Sequence, residues 1–284
     1  MQLRTCEKII YTGQYAEVEV FPEILHPKAR RAKYRPTTEA QAHINQAAAE
    51  RRLHRLIHTN FTSDDLAVHI TYSAKHEPAA DDIDTANKDI KNFLRRLRRF
   101  YAKAKAELKY IYSVEYSSRW HFHLIINSAG SGITDLRDKI EKLWGKGLIN
   151  ADRLQFSNSG VSALANYIQK QHLNYRRWTA SKNLVKPKEQ KQFINRKAKA
   201  DYVENWSTQA LVERRFPEYT LVLDGSDCVL NPTNGFEYIR LFLIRKDAKL
   251  SYSGSEPAPR KPKPRQRLIE DRDIEDEWIQ PRIC

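Results

Sequence analysis

A chain of 284 residues can bury a proper core in one domain or two, and 49 Lys and Arg against 35 Asp and Glu leave a net charge of +14, which points to a polyanionic partner or, more plainly, a basic solvated surface. Its three cysteines, Cys6, Cys228 and Cys284, lie far apart without Cys-x-x-Cys spacing, which excludes a disulfide framework or zinc ribbon and fits a reducing cytosol. No apolar signal region and no run of about 18 apolar residues is present, so the expectation is a soluble cytoplasmic protein with no membrane partner.

Residues 8 to 21 read as a hairpin with its turn at Thr12, Gly13 and Gln14. A basic loop from Lys28 to Arg35 offers phosphate contacts or plain solvated charge. Thr38 and Gln41 form a capping box for a helix that runs to about His58, with Leu53, Leu56 and Ile57 on its apolar face. His54 and His58 stand four apart on it, but nothing nearby supplies a third ligand. Residues 66 to 73 alternate into a first core strand, with His69 and Thr71 on one face and Val68, Ile70 and Tyr72 on the other; His69 is not assigned as a ligand. Asp81, Asp82 and Asp84 open a long helix, where acids suit the dipole. Ile90, Phe93, Leu94 and Leu97 mark its core side, and Arg95, Arg96, Arg98 and Arg99 surround that stripe as a phosphate surface.

Two strands follow, Lys109–Tyr116 and Trp120–Asn127, joined by a turn at Ser117, Ser118 and Arg119. Alternate strand residues share a face, so His121 and His123 project together about 6.6 Å apart. In a tight hairpin Glu115 lies opposite His121 and joins that face. The product is a cluster of two imidazoles and one carboxylate, Glu115, His121 and His123, whose mixed N/O donors suit a divalent ion such as Mn²⁺ or Mg²⁺. Such a pair also arises in packed strands without a metal.

Ser128 to Gly132 is a loop, Thr134 caps a helix to Trp144, and 148–156 forms a further strand. Residues 159–171 read as a helix with Val161, Leu164, Ala165 and Ile168 on one face, which sets Tyr167 at its rim and Lys170 beside it. A half-buried tyrosine beside a solvated lysine is the plainer reading of that pair. The chain then turns basic: Arg176, Arg177, Lys182 and several lysines to Lys199 interleave with Tyr175, Trp178 and Phe193, a mixture that suits single-stranded DNA or a solvated linker. Residues 200–215 look helical, and 219–223 and 238–244 look like strands. From Ser251 onward, Pro and charge predict a disordered tail. The expected divisions are thus an accessory hairpin and helix at 1–58, a core at 59–175, a basic linker with an accessory α/β element at 176–250, and a tail at 251–284. The fold class is α+β, a central antiparallel sheet with packed helices.

In their order, His121-Phe122-His123, then Tyr167 to Lys170 as Tyr-x-x-Lys, preceded by the strand at Leu66–Tyr72, resemble the HUH endonuclease superfamily. This group comprises rolling-circle replication initiators, conjugative relaxases and related transposases. The stretch from Asn60 through Tyr72, the Phe93–Leu97 helix and Glu115 look most like the replication initiators of small bacterial phages, plasmids and integrated elements, over roughly residues 50 to 175. The resemblance implies an HUH-type core in which Glu115, His121 and His123 hold one divalent ion, and Tyr167 is the nucleophile that nicks single-stranded DNA, leaving a 5′-phosphotyrosyl link and a free 3′-hydroxyl. Lys170 then stabilises either the phenolate or the transition state. Arg95, Arg99, Arg119, Arg176, Arg177 and Lys182 are the expected DNA contacts. The position of a second tyrosine in some relatives is Gln171 here, so a single-tyrosine enzyme is expected. No Gly-x-x-x-x-Gly-Lys-Ser/Thr sequence occurs, so no helicase is fused, and a host helicase and polymerase in a bacterial cytoplasm are the implied partners, along with a nicking site that can sit beside a hairpin. A relaxase or transposase of the same chemistry, and a basic nucleic-acid-binding protein without activity, are the alternatives.

Overall fold

The computed structural model describes residues 2–25, 39–128, 136–161, 178–230 and 235–250. Tyr167, Lys170, Arg176, Arg177, the Thr38 and Thr134 caps and the expected tail lie outside these residues. The described strands are β1 (Gln2–Thr12), β2 (Tyr15–Leu25), β3 (Leu66–Thr71), β4 (Tyr110–Tyr116), β5 (Trp120–Ile126), β6 (Ile149–Arg153), β7 (Thr179–Ala180), β8 (Lys188–Ile194), β9 (Tyr219–Leu230) and β10 (Glu237–Arg245). The helices are α1 (Glu39–Asn60), α2 (Ile83–Lys103), α3 (Leu136–Trp144), α4 (Arg196–Asn205) and α5 (Gln209–Arg215). Together they make an α+β fold with two five-stranded antiparallel sheets.

One sheet has the order β6-β3-β5-β4-β7. Its strands alternate, so each face has its own role. Val68, Ile70, Tyr72, Phe122 and Leu124 point to one side and are buried against Ile90, Phe93, Leu94 and Leu97 of α2 and Ile140 and Trp144 of α3. Asp82 caps α2 by accepting from the Thr85 N–H at 2.9 Å. Ile111 and Ile125 point to the other side and pack on Leu53 and Ile57 of α1. This packing covers only part of that face. The part beyond it, toward the β4–β5 turn, carries the polar cluster described below.

The second sheet has the order β8-β1-β2-β10-β9 and joins the two ends of the chain. Gly13, at φ +64°, supplies the positive dihedral that the two-residue loop between β1 and β2 requires. Ala16, Val18, Val20, Leu241 and Leu243 cover one face under Tyr202 of α4 and Leu211 and Val212 of α5. On the other face, Tyr15, Phe242 and Ile244 share a cluster with α1, so that helix lies between the two sheets. Arg55 ties it there, donating to Glu17 at 3.0 and 2.7 Å and to Glu19 at 2.5 Å. Buried Glu7 accepts from Tyr202 at 2.6 Å, from Arg215 at 2.5 Å and from Gln192.

The structure alters three local expectations. Part of the run read as a basic linker is strand β8; it has no apolar alternation, and its pairing with β1 is reinforced by Lys8–Glu189 at 2.9 Å and Lys191–Glu23 at 2.5 Å. The helical stretch at 200–215 is two helices, because Thr208 accepts from the Leu211 N–H and starts a new one. Strand β9 continues past Leu223 through Gly225, with a register shift against β10 between Arg240 and Phe242 that absorbs the irregularity.

Candidate metal centre

β5 is the middle strand of its sheet, flanked by β3 and β4. The β4–β5 hairpin closes through a three-residue turn, with Tyr116 paired to Trp120 and Glu115 to His121, the register that a tight hairpin predicts. Glu77 fixes its base by accepting the Trp120 N–H at 3.1 Å, while the Trp120 indole donates to the Ala79 carbonyl at 2.8 Å.

Glu115, His121 and His123 converge on one face. Glu115 Oε2 lies 3.0 Å from His123 Nε2 and 3.6 Å from His121 Nε2. Two ligands bound to one ion at about 2.1 Å each stand roughly 3–3.5 Å apart, so this spacing already fits a shared divalent cation. The side chains are 26%, 15% and 12% exposed, reachable from solvent yet held in place. Burial holds the His123 imidazole below its ordinary pKa despite Glu115 beside it, which keeps a ring nitrogen free of its proton and able to ligate. Ser113, opposite His123 in the register, is buried with a hydroxyl that has no hydrogen-bond partner among the described residues. An orphaned polar atom under the cluster is consistent with a site completed by a bound group.

A third imidazole joins them. The β3–β5 register sets His69 directly across from His123, and the two rings stack at 4.8 Å between centroids and 25°. Burial and the neighbouring His123 and His121 hold His69 below its ordinary pKa. Sequence reasoning placed His69 on the correct face of its strand but could not see its neighbour, since the face it shares with His121 and His123 depends on a long-range register. Its alternation with Thr71 was the available signal.

The expected DNA contacts fall in different places. Arg119 sits in the β4–β5 turn, 54% exposed and 3.8 Å from Glu77. Lys182 is exposed just after β7, which pairs with Ile111 and Tyr112 of β4. Arg95 and Arg99 are exposed on α2, the helix covering the face opposite the histidines. The described chain pauses after Val161 and resumes at Trp178. The strands on either side of that interval, β6 and β7, are the two edges of the sheet. Val161 and Trp178 both pack in the α1 cluster, on the side of the sheet that carries the histidines.

Among the described residues no helix is long and apolar enough to cross a membrane. No curated protein and no solved structure matches the chain. Residues 65–172 match a family model described as replication-associated protein ORF2, and the segment that carries the histidine cluster thus belongs to a family of rolling-circle replication initiators.

Proposed function

We propose that the protein initiates rolling-circle replication by nicking single-stranded DNA with Tyr167 and rejoining it later, with a divalent ion, Mn²⁺ or Mg²⁺, held by Glu115, His121 and His123. The observation that carries this reading is the convergence of those three side chains, within 3.6 Å of the Glu115 carboxylate, inside the segment that matches the initiator family. When bound, the ion supplies a Lewis acid that polarises and orients one DNA phosphate. Glu115 and the two imidazoles fix its place on rigid strands. The Tyr167 phenol oxygen attacks phosphorus, the bond to the DNA 3′-oxygen breaks, and that oxygen leaves and takes up a proton. The products are a 5′-phosphotyrosyl bond and a free 3′-hydroxyl, which can prime synthesis. The same hydroxyl attacking the phosphotyrosine reverses the step. Tyrosine has an ordinary pKa near 10, so Lys170, one helical turn on in sequence, supplies positive charge toward the phenolate or the transition state. The connectivity supports this: residues 162–177 join the two edges of the sheet whose middle strand carries the histidines, and both flanking residues pack on the histidine side.

The test is a covalent-adduct assay on the replicon's own origin DNA and on a single-stranded oligonucleotide pool with Mn²⁺. A DNA adduct on Tyr167, lost in Tyr167→Phe and in excess chelator, is the expected result. Undiminished nicking by Tyr167→Phe rules the mechanism out. Mapping the cut to a transfer origin or an element end assigns the same chemistry to a relaxase or transposase.

A further inference from the structure

The sheet brings the cluster one more nitrogen donor than the family resemblance supplies, and we propose that His69 is itself a metal ligand, so that the donor set is three imidazoles and one carboxylate. The inference rests on the metal reading above and extends it to the identity of the ion.

The first argument is positional. One ligand atom from each of His69, His121 and His123 lies within 4.8 Å of the others. Their strands are adjacent, with β5 in the middle: His69 approaches from β3 and Glu115 from β4, on opposite flanks of the two histidines. A cation between His121 and His123 is therefore reached from both sides, and a small side-chain adjustment closes the widest spacing to that of ligands around one ion. The second argument concerns what else His69 does. Among the described residues its ring nitrogens make no hydrogen bond; the ring is held by packing on His123 and, at 5.4 Å, on His121. A half-buried imidazole with unused nitrogens, stacked against two others, has donors to spare. The third is chemical. Three imidazoles and one carboxylate form a nitrogen-rich set, whereas Mg²⁺ prefers oxygen donors and retained waters. The set therefore favours Mn²⁺ and the later ions Co²⁺ and Zn²⁺, following the usual order of stability for nitrogen sites.

Co²⁺ and Mg²⁺ binding to the full chain, measured by calorimetry, together with X-ray absorption of the Co²⁺-loaded protein, tests this directly. Wild type is expected to show three imidazoles on Co²⁺ and to bind Co²⁺ more tightly than Mg²⁺. His69→Ala should show two imidazoles and lose at least about tenfold in Co²⁺ affinity, the smaller end of what even an outer-shell change costs, with a much smaller change for Mg²⁺. His69→Phe keeps the ring packing without the nitrogens and should behave like His69→Ala, with a melting temperature without metal close to that of wild type. Two imidazoles in wild type, both lost with His121→Ala and His123→Ala, would overturn the role of His69 while leaving the three-residue site standing. No specific Co²⁺ binding by wild type, or binding indifferent to His121 and His123, would overturn both.

Discussion

The backbone N–H of Val161 donates to Nε2 of His58 at 3.2 Å, so a fully buried imidazole on α1 holds the last described residue before the tyrosine-bearing segment. Nε2 must be unprotonated to accept, and Nδ1 has no hydrogen-bond partner among the described residues. Burial, and then the neighbouring His54, push the His58 pKa from 6.5 down to about 3. The folded-state value is the lower one. Between about pH 3 and 6.5 the unfolded chain therefore binds a proton that the folded chain refuses. Stability from this residue is full above pH 6.5 and falls as the pH drops, by up to about 1.4 kcal/mol per pH unit. His54, also depressed chiefly by burial, adds to the same trend. Urea melts at pH 7.5, 5.5 and 4.5 should show this loss, and His58→Gln, which keeps an acceptor but does not titrate, should flatten the slope.

Gly160 sits against the same ring at φ +79°, and a Cβ there would lie 2.5 Å from His58 Cε1 and Nε2. Both the dihedral and the overlap oppose a side chain. Gly160→Ala is expected to lose at least about 1–3 kcal/mol, the usual range for a non-glycine residue held in a sparsely populated conformation. Chemical denaturation reads this, and a variant as stable as wild type would contradict the described contact.

Arg55 is the single cation that faces Glu17 and Glu19 across the α1–β2 contact in the described hydrogen bonds, and Glu17 is 4% exposed at its side chain. Removing one partner of a buried pair strands the other, so Arg55→Ala should cost about 3–5 kcal/mol. Replacing Arg55 and Glu17 together with Met and Leu should recover much of that. A double variant as unstable as the single one would place the energy elsewhere.

The two groups of arginines make a contrast that salt can measure. Arg119 is on the hairpin that carries the histidines, whereas Arg95 and Arg99 are on the helix behind the sheet. For DNA bound over the histidine face, Arg119→Ala should reduce the slope of log affinity against log salt by about one, the value of a single phosphate contact. Arg95→Ala with Arg99→Ala should leave it unchanged. Equal effects from both would mean that DNA wraps around α2.

What the sequence revealed follows the range of the interactions. The β1–β2 and β4–β5 hairpins pair neighbours in the chain, so Gly13 and the Ser117–Arg119 turn were enough to set Glu115 against His121. The amphipathic stripe of α2 identified its own buried face. His69 was misjudged for a different reason: its partner His123 is brought to it by β3–β5 pairing, which no local pattern specifies. Strand β8 was invisible because Lys188–Ile194 has the composition of a linker, and its order comes from the β1 backbone and from ion pairs with residues near the other end of the chain.

That last sheet also sets a timetable for folding. β2 pairs on one side with β1 at once, but its other edge waits for β10, where Tyr15 meets Ile244. At ordinary rates of synthesis the wait is roughly 10–45 s. Throughout it, a finished hairpin presents Val18 and Val20 on an uncovered strand edge, open to pairing with another nascent copy. The half-built protein therefore depends on a ribosome-bound chaperone, or on low local concentration, in a way that the finished one does not.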